Sequence, residues 1–184
     1  MAFPSAAELP SPREPGAPYR VCLVCLGNIC RSPMAETVLR AELAAAGLDG
    51  AVVVDSAGTG DWHVGDTMDR DARAALAVRG RDGSGPKTHR ARQFDPSWLA
   101  ERDLVLAMDS RNLADLRRMA RARGEDTDRI RLFGEVGGLT DTGTRDIPDP
   151  WGGGPDEFGH VLDLLGAAAP VIAARLARLL ETAG

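Results

Sequence analysis

Apolar positions in this chain come in short blocks, and their spacing switches repeatedly between strand and helix periods. Residues 19–25, YRVCLVC, form a β-branched apolar run suited to a strand buried on both faces. In SPMAETVLRAELAAAG, residues 32–47, the period changes. Met34, Val38 and Leu39 fall on one side of a helix, and Gly47 marks its stop. AVVVDS (51–56) predicts a second strand and DRDARAALAVRG (69–80) a second helix ending at Gly80. DLVLAMDS (103–110) predicts a third strand, SRNLADLRRMARARG (110–124) a third helix, and DRIRLFG (128–134) a fourth strand. The last 29 residues, 156–184, predict a closing helix in which Pro170 marks a kink or break.

This alternation predicts an α/β fold: a single domain with an open, parallel four-stranded sheet and helices on both faces. There is no internal repeat and no interdomain linker. One stretch departs from the pattern. Residues 134–154, GEVGGLTDTGTRDIPDPWGGG, make a long connection that holds seven of the 21 glycines. A loop of that length inside a compact α/β domain is usually functional or disordered.

Composition changes this picture little. The chain has 184 residues, 43% hydrophobic and 27% charged, as in an ordinary globular domain. A net charge of -5 disfavours nucleic acid as the main partner. Lys87 is the only lysine, so the cationic charge is almost all arginine. Arginines 111, 117, 118, 121, 123, 129 and 131 are read as a solvated face rather than a steering patch. Five of the twelve prolines lie in residues 1–18, which are expected to be a disordered extension ahead of a folded domain at 19–184. That extension lacks the layout of a signal peptide. No apolar run is expected to span a bilayer, and the C-terminal apolar stripe is read as core.

The chemistry concentrates in VCLVCLGNICRSPMAE, residues 21–36, which holds all three cysteines. Such clustering is no disulfide framework for a secreted fold, so a reducing cytoplasm is expected. Cys25 ends the first strand, and Ser32-Pro33 opens the first helix. Ligands of open parallel sheets sit at this end, beyond the strand carboxyl termini. Between them LGNICR must curl, and Gly27 and Asn28 best tolerate left-handed backbone. Successive amides in such a curl, backed by the helix dipole, make an anion cradle and favour a thiolate at Cys25. Arg31 can clamp two phosphate oxygens, and Ser32 can donate to the sulfur. The spacing describes phosphoryl transfer through cysteine. Alternatives are a redox or zinc site at Cys22-x-x-Cys25 and an inert buried Cys25; Cys22 itself reads as core. In a strand, positions i and i+3 face opposite sides, and no second cysteine pair completes a zinc site. Cys30 is either structural or close enough to Cys25 for a reversible disulfide.

The same segment resembles the signature of the low-molecular-weight protein tyrosine phosphatases, C-x5-R-S, and further blocks resemble the family from Tyr19 to Leu180. The resemblance implies a flavodoxin-like fold with no cofactor or metal. It also implies phosphotyrosine-containing protein substrates. A monomer or weak dimer is expected. Carried over residue by residue, it makes Cys25 the nucleophile and Arg31 the phosphate clamp. Leu26, Gly27, Asn28, Ile29, Cys30 and Ser32 complete the phosphate loop. In DSAGTGDWHVG, Ser56 would support that loop and Trp62 would shape the entrance. His89 would hydrogen-bond Asn28. Asp149 in IPDPW would be the general acid, stiffened by its flanking prolines, with Trp151 as an aromatic wall. The family commonly carries two tyrosines after the acid, where this chain has Trp151 and Gly152. His63, next to Trp62, reads as a solvated loop residue, with tuning of peptide preference as the alternative, and Trp98 as core or as a staple of a short helix. Arsenate reductases and phosphoarginine phosphatases share the fold. The former relay oxidation to cysteines downstream, which this chain lacks after Cys30. The latter carry threonine where this chain has Ile29. A phosphopeptide-binding module without catalysis is the non-enzymatic alternative.

Overall fold

The computed structural model describes residues 8–139 and 145–183. Four parallel strands form one sheet in the order β2-β1-β3-β4: β1 (Tyr19–Cys25), β2 (Val52–Gly58), β3 (Leu104–Ala107) and β4 (Ile130–Leu132). They are joined by α1 (Arg31–Ala45), α2 (Arg70–Val78), α3 (Ser84–Thr88), α4 (Ser110–Arg123), α5 (Phe133–Val136) and α6 (Pro155–Ala183). The single-domain α/β architecture is as the sequence predicts, with four corrections. α3, α5 and short 3-10 turns at Pro96–Ala100 and Thr127–Arg129 fall in segments too short for any period to show.

β1 divides two cores. Tyr19, Val21, Leu23 and Cys25 face a cluster with α1 and α6, while Cys22 and Val24 face the α4 side. Cys22 and Cys25 therefore lie on opposite faces of the sheet, which removes the paired C-x-x-C reading. Helices cover both faces because every residue of β1 except Arg20 is buried.

α6 runs unbroken through Pro170. By length and composition its Pro155–Thr182 portion is apolar enough to cross a membrane, contrary to the sequence expectation. Its apolar face is nevertheless spent on the core, where Phe158, Val161, Leu165, Ile172 and Leu176 are buried.

Residues 8–18 also depart from expectation, because they are held in place; residues 1–7 lie outside the described residues. Asp103, 5% exposed, explains the difference. Its two oxygens accept the backbone N–H groups of Arg13 and Arg20, each at 2.7 Å. Arg13 Nη2 donates to the Leu99 carbonyl, and Tyr19 Oη to the Pro10 carbonyl. The strap crosses the end of the sheet where the strands begin. Part of the arginine set is likewise structural: Arg117 donates to the Ile130 carbonyl and Arg129 to those of Ser11 and Asp103. Trp98 lies in the 96–100 turn, edge-on to Phe94, with the Arg92 and Arg102 guanidinium groups 4.7 and 5.1 Å from its ring centroid.

Candidate active site

Residues 26–30 curl between the end of β1 and the start of α1, at the carboxyl end of the sheet. Asn28 is the one described non-glycine residue with a left-handed backbone, at φ 56°. An asparagine tolerates this conformation, and here its side chain is also used throughout. Asn28 Oδ1 accepts the Arg92 N–H at 3.0 Å, while Nδ2 donates to Ser32 Oγ at 2.9 Å and Ser56 Oγ at 3.0 Å. His89 Nε2 donates to the Asn28 carbonyl at 2.7 Å. Burial holds His89 below the usual histidine range, with Asn28 and Glu36 pulling the other way. The Asn28 amide in turn lies 3.3 Å from Cys25 Sγ. Gly27 is not left-handed, contrary to expectation. Its lack of a side chain matters for space, because a Cβ there would lie 2.9 Å from His63 Cδ2.

The hydrogen bonds around Asn28 have a fixed direction. Glu36 accepts the Ser56 hydroxyl at 2.7 Å, so Ser56 Oγ is free to accept from Asn28. Asn28 then donates to Ser32, which leaves the Ser32 proton for Cys25 Sγ at 3.0 Å or the Ala57 carbonyl at 3.3 Å. A carboxylate one turn into α1 thus sets the polarity of a chain that ends on the sulfur.

Arg31 is the cation of the site and is 3% exposed. Its Nη1 donates to Asp109 Oδ2 at 2.5 Å and to the Ile147 carbonyl at 3.1 Å; its Nη2 donates to Asp149 Oδ2 at 3.1 Å. Burial opposes the charge, but Cys25, Asp109 and Asp149 outweigh it and push the guanidinium up. Its Nε is buried with no partner among the described residues, a donor suited to an oxyanion. Asp109 Oδ1 also caps α4 by accepting the Asn112 N–H at 2.7 Å. The Asp149 segment is anchored by Ile147 N–H on the Met108 carbonyl, and Asp149 Oδ1 accepts the Trp151 N–H.

These groups share a cleft of about 200 Å³ lined by Cys25, Leu26, Gly27, Ile29, Cys30, Arg31, Trp62, His63, Asp149 and Trp151. Of the predicted site residues, Asn28, Ser32, Ser56 and His89 stand behind it as supports. All three cysteines are free. Burial first, then Asp69 and Cys25, pushes the Cys30 thiol far above its ordinary range; burial and Asp55 do the same for Cys22.

Sequence reasoning missed several participants. His63 is half-buried rather than fully solvated: its Nδ1 lies 2.9 Å from Asp66 Oδ2, and its ring packs against Gly27. Glu36, beyond the first turn of α1, carried no signal of its own, and Asp109, the N-cap of α4, was legible only within the Met108-Asp109 block that resembles the family's strand-three ending. Gly58 carried none. A Cβ there would lie 2.6 Å from the Leu26 carbonyl oxygen, so the phosphate loop can lie against β2 only at a glycine.

A doubly covered parallel sheet with a cysteine and an arginine around a curled loop defines a cysteine-based, phosphate-handling protein. The family model of low molecular weight phosphotyrosine protein phosphatases matches residues 20–181, and the chain belongs to that family. It is 44% identical over 163 residues to a low molecular weight protein-tyrosine-phosphatase of Streptomyces coelicolor, covering 89% of this chain and 96% of the relative. Among solved structures, YfkJ from Bacillus subtilis superposes with a TM-score of 0.78 at 34% identity, covering 89% of this chain and 97% of that one. The YwlE arginine phosphatase, solved as a mutant with a phosphorylated active-site serine, gives 0.71 at 26% identity, covering 87% and 99%.

Proposed function

We propose that the chain is a protein-tyrosine-phosphatase that hydrolyses phosphotyrosine, and small aryl phosphates, through a phosphocysteine intermediate without a metal. The observation that carries the reading is the convergence of Cys25, Arg31 and Asp149 on one cleft with two tryptophan walls. The phosphate sits in the curl of residues 26–30, with Arg31 turning from Asp149 to its oxygens. Cys25 Sγ attacks phosphorus in line, and the S–P bond forms as the P–O bond to the phenol breaks. Asp149 gives its proton to the leaving oxygen, and Arg31 and the loop amides hold the charge spread over the equatorial oxygens. Water then attacks the phosphocysteine, passing its proton to Asp149. The S–P electron pair returns to sulfur, helped by the Ser32 hydroxyl 3.0 Å away, and phosphate leaves.

Ile29, Trp62 and Trp151 favour an aryl ester over the shorter phosphoserine and over a guanidinium phosphoramidate. Three free cysteines favour a reducing, cytoplasmic setting. A monomer or weak dimer, no nucleic acid and no membrane complete the reading. Hydrolysis of an aryl phosphate in excess EDTA, by the parent and by Cys25→Ser, tests it. Phosphate release by the parent alone is the expected result. No release from reduced, folded parent protein overturns the assignment and leaves a phosphate-binding module.

A further inference from the structure

Five large hydrophobic residues are exposed among the described residues, and three of them belong to the two loops that wall the cleft. Trp62 is 61% exposed and Val64 57% on the loop after β2; Trp151 is 67% exposed beside the acid. The cleft, about 200 Å³, has room for one aryl phosphate. Its occupation leaves the outer parts of both indoles and Val64 in water. Exposed apolar surface gathered around a binding slot marks a contact surface, and a tryptophan contributes more to one than any other side chain.

The charged side chains that line the slot and its adjoining groove are mostly acidic. Asp61 and Asp66 are exposed on the Trp62 loop. Asp149, Asp156 and Glu157 line the adjoining groove behind the acid segment. The one guanidinium among the residues lining the slot and that groove is Arg31, which is buried and committed to the phosphate. His63 is already paired with Asp66. Among these lining residues an acidic residue next to the phosphotyrosine would meet carboxylates and no free guanidinium.

We infer that Trp62, Val64 and Trp151 dock apolar residues flanking the phosphotyrosine, so that the preferred substrates are segments with large aliphatic or aromatic neighbours and not acidic ones. The inference rests on the phosphotyrosine reading of the slot, and binding separates the two. Four phosphopeptides of equal length, with leucine, serine, glutamate or arginine on both sides of the phosphotyrosine, are titrated against the full Cys25→Ser chain by fluorescence anisotropy. Free phosphotyrosine is the reference. The leucine peptide is expected to bind about tenfold more tightly than the serine peptide, and the glutamate peptide more weakly than either. Adding Val64→Ser narrows the leucine–serine gap about threefold. Equal affinities for leucine and serine peptides, or tightest binding of the glutamate or arginine peptide, overturn the inference while the slot reading stands. Failure of free phosphotyrosine itself to bind overturns both.

Discussion

Arg31 and Asp149 form an ion pair across the cleft, Nη2 to Oδ2 at 3.1 Å, with Arg31 buried and Asp149 half exposed. The carboxylate proposed as the proton donor therefore occupies the guanidinium proposed to receive the phosphate. In the proposed mechanism a bound oxyanion replaces it and releases Asp149 towards the leaving oxygen. Asp149→Asn is expected to lower turnover about 100-fold or more. The loss is greater for phenyl phosphate than for p-nitrophenyl phosphate, whose leaving group needs no proton. Inhibition by inorganic phosphate stays as strong or strengthens, because a competitor for Arg31 has lost its charge. Steady-state rates on both esters and a phosphate inhibition constant check this.

The directed chain from Glu36 through Ser56 and Asn28 to Ser32 predicts non-additive losses. Glu36→Leu and Ser56→Ala are each expected to reduce kcat about tenfold with little change in KM. The double variant should lose hardly more than either single one, since both break the same chain. Multiplying losses would mean that the two residues act separately.

Gly27 and Gly58 differ in what a side chain would strike. At Gly58 the obstacle is backbone, the Leu26 carbonyl; at Gly27 it is the movable ring of His63. Gly58→Ala is expected to destabilise the fold by about 1–3 kcal/mol and to abolish most activity. Gly27→Ala costs less, and adding His63→Ala recovers part of that loss. Denaturant midpoints and aryl phosphatase rates distinguish the cases.

His89 binds fewer protons in the folded chain than in the unfolded one, because burial holds it below its ordinary value of 6.5. Its contribution is complete above that value and is lost as the pH falls towards the folded one. The parent's Tm is therefore expected to fall between pH 7 and pH 5 more steeply than that of His89→Gln, which keeps a donor for the Asn28 carbonyl. Parallel curves would remove His89 as the cause.

At the other end of the sheet, Asp103→Ala leaves the N–H groups of Arg13 and Arg20 without their acceptor. A loss of about 1–3 kcal/mol in stability is expected, with kcat on an aryl phosphate unchanged.

Where sequence and structure agree, the cause lies in local patterning. β1 was legible to the residue because it is buried on both sides and hence uniformly apolar. The Cys25-to-Ser32 loop was legible because strand, curl and helix start lie next to one another in the chain. What stayed hidden depends on contacts distant in sequence. Gly58 looked like any glycine until the Leu26 carbonyl was laid against it. His63 looked solvated until Asp66 turned it onto Gly27. The proline-rich segment looked loose because its anchor, Asp103, lies some ninety residues away. Pro170 was expected to kink or break α6, and no break occurs: the helix runs on through it, with Ala168, Ala169, Ile172 and Ala173 on either side buried in the core.

The strap of residues 8–18 lies where the strands start, and the slot opens where they finish. A resin, sensor surface or fusion partner joined ahead of residue 8 would hold the molecule by its base and leave the mouth turned outward. Immobilised through that end, the protein should still accept a folded phosphoprotein as readily as a small ester.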